Sequence, residues 1–312
     1  MNGNDRLAEH FEEHRPRLRA VAYRMLGSLT EADDAVQDTW LRFSRAGTSE
    51  VENLGGWLTT IVARVCLNIL RSRNTRREDF VGAHVPDPVV SSNGPLSPDD
   101  EALLADSVSL ALFVVLDTLA PPERLVFVLH DMFGLPFEEI APMVGRSPAA
   151  ARQLASRARR RVKGAEIRTP DVDLARQREV VDAFFSAARG GDFDALVAVL
   201  DPDVVLRAEV GAAAAVAVRG AAAVARHAVM FKRPRAELHP VLVNGAAGVV
   251  ASVDGRPFAV VGFTVSEGRI VEINGICDSD RIPRIAAAVL GDAYGGAPGG
   301  GGAGDEFRGD RR

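Results

Sequence analysis

The amino-acid sequence predicts a multidomain chain: two all-α domains, the second with a helix–turn–helix, followed by an α+β domain. Three observations carry that expectation. Apolar residues recur at helical spacing through most of residues 5–165. Beyond residue 200 they gather in short runs split by Asn244-Gly245, Asp254-Gly255 and Glu267-Gly268, dipeptides of tight hairpins. A Pro-, Ser- and Asp-rich stretch, Phe80–Asp100, interrupts the helical pattern and reads as a linker. At 312 residues with 47% hydrophobic content, the chain can build two or three domains with real cores.

Residues 5–26 form the first amphipathic helix, with Leu7, Phe11, Leu18, Val21, Ala22 and Met25 inward. Gly27-Ser28 breaks it. Thr30 is placed to cap the next helix, with Asp33 three residues on. There Val36, Thr39, Trp40 and Phe43 make the buried stripe, opposite an acidic face of Asp33, Asp34, Gln37 and Asp38. A polar loop, Gly47–Gly56, leads into a third helix whose core side is Trp57, Leu58, Ile61, Val65 and Ile69. Arg64, Asn68 and Arg71 line another side, and Arg73, Arg76 and Arg77 crowd the end. Cations there also suit the helix dipole, so part of the cluster needs no ligand. Trp57 reads as a core residue opening a helix, with base stacking as the alternative.

From Phe80 to Asp100 composition marks a linker. Glu101–Leu119 is the next helix, and Pro121-Pro122 starts another. Leu135–Lys163 then reads as two helices around a tight turn. Phe137, Ile140, Ala141 and Val144 face inward in the first; Gly145 turns; Ser147 caps and Pro148 opens the second. Ala151, Leu154, Ala155, Ala158 and Val162 share one face of it. Arg152, Gln153, Ser156, Arg157, Arg159, Arg160, Arg161 and Lys163 fill the remainder, and from Arg146, at the turn, to Lys163 there is not a single acid. A small apolar face on an otherwise cationic helix suits a DNA major groove.

Residues 171–290 read as helices against a curved antiparallel sheet. Helices fall around Val180–Phe185 and Leu196–Leu200, a strand at Val204–Glu209, and a third helix after Gly220. Strands follow near Glu237–Val243, Gly248–Val253, Arg256–Val265 and Arg269–Ile276. The expected division is 1–79, a linker at 80–100, 101–168, 171–290, and a Gly-rich tail at 291–312 whose composition predicts disorder.

Net charge is −5 and pI about 5.8, which alone argues against nucleic acid. The local distribution outweighs it, because the basic residues cluster in Arg64–Arg77 and Arg146–Lys163. Two distant cysteines, Cys66 and Cys277, exclude a disulfide framework or a Cys-rich zinc site and fit a reducing cytosol. With neither a leader peptide nor a membrane-spanning apolar run in the sequence, a soluble cytoplasmic protein is expected. No metal-ligand spacing or cofactor motif occurs.

The segments ADDAVQDTWLRF, GGWLTTIVARVCLNILRSRNTRR and LAPPERLVFVLHDMFGLPFEEIAPMVGRSPAAARQLASRARRR resemble, in order and spacing, the conserved regions of the extracytoplasmic-function sigma factors. These are dissociable RNA polymerase subunits. The resemblance covers residues 6–165. It implies that Asp33, Asp34, Gln37 and Asp38 grip the coiled coil of the polymerase β′ clamp. It implies that the loop before Trp57, with Asn53, and the helix bearing Arg64, Asn68, Arg71 and Arg73 read the melted minus-ten element. The helix of Arg152 would read the minus-thirty-five element of promoter DNA.

The C-terminal part resembles the SnoaL-like branch of the NTF2-like fold, a cone-shaped cup that often holds a small molecule, here unidentified. A sigma-factor subgroup with this extension carries a linker motif, WLPEP, matched by His84-Val85-Pro86-Asp87-Pro88, and NPDKL, matched by Asp278-Ser279-Asp280-Arg281-Ile282. Its DGGGK motif is replaced by EVGAAAA at Glu209–Ala215. Pro86 and Pro88 hold their segment extended for docking, so Pro86, Asp87 and Pro88 are expected to meet Asp278, Asp280 and Arg281 and couple the cup to the helical domains.

Two alternatives remain: a ligand-responsive helix–turn–helix regulator that never joins polymerase, and a SnoaL-type enzyme fused to a DNA-binding module. The enzyme reading lacks a donor, since the tyrosines are Tyr23 and Tyr294, outside the folded cup. Asp201, Asp203, Asp254 and Asp278 stand in turns, where local hydrogen bonds explain them. His227 and His239 are candidates for the cup's lining.

Overall fold

The computed structural model describes residues 3–46, 53–76, 85–91, 110–164, 168, 170–211, 214–230, 235–277 and 279–290. Arg77, His84, Asp278, the first part of the Glu101–Leu119 helix and the tail therefore lie outside the described residues.

Helices α1 (Gly3–Leu26), α2 (Leu29–Ala46) and α3 (Leu54–Arg76) pack as a three-helix unit. Phe11, Val21, Met25, Val36, Phe43 and Leu58 are fully or almost fully buried in it. Trp40 and Trp57 are partly buried and pack on that core, their rings 6.0 and 5.8 Å from Phe43. The start of α2 departs from expectation. Thr30 lies inside the helix, and the free N–H groups are capped by Ser28, which accepts from Glu31 at 3.4 Å, and by a remote side chain. That second cap is the Asp87 carboxylate, which accepts from the Leu29 N–H at 2.9 Å. No sequence pattern announces a cap supplied from 58 residues away.

Four helices follow: α4 (Leu110–Asp117), α5 (Pro121–Phe127) running into a π turn at Val128–Met132, α6 (Phe137–Val144) and α7 (Pro148–Gly164). Gly145 ends α6 at φ 66, ψ 40, a left-handed conformation that an L side chain adopts only with strain. Ser147 then accepts from the Ala150 N–H at 3.3 Å. Ala151, Ala155 and Ala158 are fully buried, and their small size lets α7 sit close on α5. The two helical units share one continuous hydrophobic core through Tyr23, Cys66, Phe113 and Leu125.

The C-terminal domain has helices α8 (Leu174–Gly190), α9 (Phe193–Val199) and α10 (Ala221–Met230) on one face of a seven-stranded sheet. Its strands are β1 (Val90–Ser91), β2 (Leu200–Val210), β3 (Ala214–Arg219), β4 (Glu237–Val243), β5 (Ala246–Val253), β6 (Arg256–Ser266) and β7 (Arg269–Cys277). Their spatial order is β1-β4-β5-β6-β7-β2-β3. The sheet is mixed, not antiparallel throughout, because β2 pairs in parallel with β7. A strand, β3, also occupies Ala214–Arg219, to which the sequence pattern assigns no element because a run of small residues lacks the usual alternation. Asn244, Asp254 and Glu267 all have positive φ, as the expected hairpin turns require.

The first element of this sheet comes from the linker. Val90 and Ser91 pair with Val243 and Leu242 of β4, and all of Val85–Ser91 is buried. Helix α11 (Ile282–Leu290) lies on the same outer face, where Val85, Val90, Val250, Val260, Ile276 and Ile285 form a separate core. With both faces covered, β5 to β7 are apolar almost throughout instead of alternating.

Candidate functional site

On α7, Gln153, Ser156, Arg157 and Arg160 are exposed along one side, with Arg146 exposed at the turn before it. Three other cations of the helix are tied to acids of their own domain. Arg152 pairs with Glu138 at 2.7 Å and lies 5.5 Å above the Phe137 ring, while Arg159 pairs with Asp131 at 2.6 Å. Arg161 pairs with Glu123 at 2.8 Å. The Arg152 pair is open to solvent on both sides, so it costs little to exchange for another anion. Arg161 holds a carboxylate only 7% exposed, which makes it a structural tie between α7 and α5.

On α3, Arg64, Asn68 and Arg71 are exposed at i, i+4 and i+7, one side of the helix. Arg73 does not join them. It pairs with Glu31 and donates to the Leu26 carbonyl at 2.9 Å, tying α3 to the α1–α2 turn. Asn53 caps α3, accepting from the Gly56 N–H at 2.9 Å. Asp33, Asp34 and Gln37 are exposed on α2, and Asp38 is half-buried. Asp33 pairs with Arg19 at 2.6 Å and Asp38 with Arg42 at 2.9 Å.

The α3 start faces the lead of the helix–turn–helix. His14, Asn53, Gly55 and Thr59 on one side and Phe133 and Pro136 on the other line a cleft of about 370 Å³. Deeper in this seam Arg124, 2% exposed, pairs with Asp117 and donates to the Arg24 carbonyl at 3.4 Å. The Arg24 guanidinium, 1% exposed, sits 4.8 Å from the Phe133 ring centre. Cys66 is buried here too, and desolvation pushes its thiol up to about 12, so it stays protonated and unreactive at neutral pH.

The linker is held by a clasp between the helical domains and the C-terminal cup. Arg281 lies 3.1 Å from the Asp87 carboxylate, donates to the Val85 carbonyl at 3.1 Å, and pairs with Glu209 at 3.2 Å. Glu209 also accepts from the Val85 N–H at 3.3 Å. From the helical side, the Tyr23 hydroxyl donates to the Asp87 carbonyl at 2.5 Å, and the Gly27 carbonyl accepts from the Asp87 N–H at 2.8 Å. Asn244 of the cup accepts from the Val89 N–H at 2.7 Å. Pro86 and Pro88 are buried in the same strip, and a Cβ on Gly27 would stand 3.4 Å from that of Pro86. Asp280 is exposed and takes no part in the clasp's hydrogen bonds or ion pairs. Glu209, Tyr23 and Asn244 were not among the expected site residues. Glu209 stands where the expected DGGGK motif is replaced, and Tyr23 entered only as a tyrosine outside the cup.

The cup encloses a cavity of about 540 Å³ between α8, α10 and the inner face of the sheet. Phe184, Phe185, Phe258 and Phe263 supply much of its wall, with Leu238 and Ile273. The Phe184, Phe185 and Phe263 rings meet edge to face with centres 5.4–5.7 Å apart. His227 lines the cavity half-buried, and desolvation lowers its pKa below the usual imidazole value. His239 instead lies outside that wall, bonded to the Ser252 hydroxyl at 2.8 Å. The described lining residues include no acid. Among the described residues no group of three or more His, Cys, Asp or Glu could hold a metal ion, and no helix is long and apolar enough to cross a membrane.

Residues 10–76 match the sigma-70 region 2 family, 109–162 the sigma-70 region 4 family, and 181–273 the SnoaL-like domain family. The chain is 35% identical over 93% of its length to the whole of the probable ECF RNA polymerase sigma factor SigI of Mycobacterium tuberculosis. It is 37% identical to the ECF sigma factor SigJ of the same organism, over 87% of this chain and 91% of that one. The crystal structure of M. tuberculosis SigJ superposes with a TM-score of 0.70 at 34% identity, covering 90% of this chain and 98% of SigJ.

Proposed function

The chain belongs to the extracytoplasmic-function RNA polymerase sigma factors, and on that premise we propose how its parts act in promoter-specific transcription initiation. It binds core RNA polymerase through the acidic face of α2 and works in the cytoplasm, where that enzyme acts. The α3 side bearing Arg64, Asn68 and Arg71, with the α3 start, reads the minus-ten element. Helix α7 reads the minus-thirty-five element through Arg152, Gln153, Ser156 and Arg157, while Arg160 and Lys163 hold phosphates. Arg73 and Arg161 serve the fold first, since both tie helices together.

The cup is a built-in restraint on this activity. The single observation that carries this reading is the Arg281 clasp. One guanidinium joins the cup to Asp87, and the same Asp87 caps the α2 helix that faces polymerase. A promoter-bound sigma factor spreads its two DNA-reading domains, whereas here they share a core and the α3 start looks into the helix–turn–helix. While the clasp holds the linker, the domains stay together; when it opens, they separate and reach their two promoter elements.

The test is run-off transcription with purified core polymerase, comparing the natural chain with Arg281→Ala. Opening the clasp is expected to raise promoter-dependent transcription severalfold with promoter choice unchanged. Transcription that stays equal or falls would remove the restraint from this account. Promoter binding that proceeds fully without core polymerase would favour a stand-alone regulator instead.

A further inference from the structure

We propose that the cup cavity is a receptor site for a mainly hydrocarbon, ring-bearing small molecule with a single anionic group, such as an aromatic carboxylate, and that the clasp senses its occupancy. The second half of this proposal rests on the restraint reading above.

The volume, about 540 Å³, falls within the roughly 300–1,000 Å³ of pockets that enclose drug-sized ligands. A wall of four phenylalanines suits a ring system, because rings bind one another through offset and edge contacts. The sign of the charge comes from the ionisable groups. Arg189, Arg207 and His227 line the cavity, and no described lining residue is acidic. Arg207 is paired with Glu272 from β7, leaving Arg189, exposed at the end of α8, as the cation that meets an incoming ligand. A low-dielectric wall strengthens that attraction.

The sensing half follows from the strands. The cavity wall includes Leu206, Arg207 and Ala208 of β2 and Ile273, Gly275 and Cys277 of β7. These two strands are hydrogen-bonded parallel neighbours, with Ala208 opposite Gly275. The next residue of β2 is Glu209, which holds Val85 and Arg281, and Arg281 itself follows β7 by four residues. The Gly211 N–H also donates to the Cys277 carbonyl at 2.9 Å, fastening the two strand ends together. A ligand that pushes on this wall moves both halves of the clasp.

The experiment is a fluorescence titration of the full-length protein with 8-anilinonaphthalene-1-sulfonate, and in parallel with uncharged N-phenyl-1-naphthylamine. The expected result is one saturable sulfonate site per natively folded chain, lost on filling the cavity with Ala251→Trp. Should that variant fail to fold, Ala228→Leu narrows the same space from the helix side. Arg189→Ala is expected to weaken the sulfonate about five- to tenfold while leaving the uncharged amine unchanged. Because coupling between two sites is reciprocal, Arg281→Ala is expected to shift sulfonate affinity at least about threefold. No saturable site, binding that survives cavity filling, or equal affinity for the charged and uncharged probes overturns the receptor. An affinity indifferent to Arg281 overturns the sensing. Since no polymerase or promoter is present, either failure leaves the transcription test of the restraint standing on its own.

Discussion

Asp171 illustrates how one short side chain fixes a junction. It follows the helical domains directly and accepts from the Gly268 N–H at 2.9 Å and the Glu267 N–H at 2.8 Å. Those bonds, the Gly268 one foremost, lower its pKa below the usual carboxylate value. The lowered value sets the sign of a pH effect. The carboxylate's contribution is present above its unfolded value, about 4, and is lost as pH falls through the lower folded value. Asp171→Asn should therefore flatten the difference in denaturant stability between pH 5 and pH 3, most clearly in unfolding followed by cup-specific signals. An identical pH slope in the two proteins would refute it. Asp87 does more with the same chemistry: one oxygen caps α2 and the other meets Arg281. Removing a partner from such a buried pair leaves an uncompensated charge, which is why Arg281 and not the exposed Asp280 is the residue to alter.

Among the elements, α7 carries the sharpest test. Its cations divide into those tied to acids and those directed outward, a division that its uniform run of arginines does not reveal. Arg157→Ala should relax preference at one base position of the minus-thirty-five element, at a cost of about 1–3 kcal/mol. Arg160→Ala should weaken all promoters alike and lower the salt dependence of binding by about one phosphate contact. Binding to a panel of single-base promoter variants distinguishes them. Equal, position-independent losses for both would mean that α7 docks differently. The linker strip makes the opposite point about elements. Two residues of β1 hardly count as a strand, yet their pairing with β4 puts the linker into the cup's own sheet.

At the scale of the molecule, the arrangement separates two functions. The α3 start looks across a cleft into the lead of the helix–turn–helix, whereas Asp33, Asp34 and Gln37 are exposed on α2. On the proposed reading, the chain meets core polymerase through this face before its DNA-reading domains part. Reversing charge at Asp34 and Asp38 should abolish co-purification with core polymerase, because like charges then face the same partner. Circular dichroism should be unchanged, since Asp34 is exposed and Asp38 makes only the open pair with Arg42. Undiminished co-purification would move the polymerase contact elsewhere.

Periodicity and turn chemistry made much of this legible from the chain alone. The apolar stripes of α1 to α3, Gly145 and Ser147 around the helix–turn–helix, and the three hairpins of the cup are local features, written within a few residues of where they act. The outward row Arg64, Asn68 and Arg71 follows from the same helical spacing. The parallel pairing of β2 with β7, the capping of α2 by Asp87, and the capture of Arg73 and Arg161 by acids on other helices lie beyond that range. The same is true of Glu209 and Tyr23, each meeting a linker more than sixty residues away. A hydrogen bond or ion pair between distant segments depends on where packing puts two backbones, and the short-range pattern of apolar and polar residues carries no record of that distance.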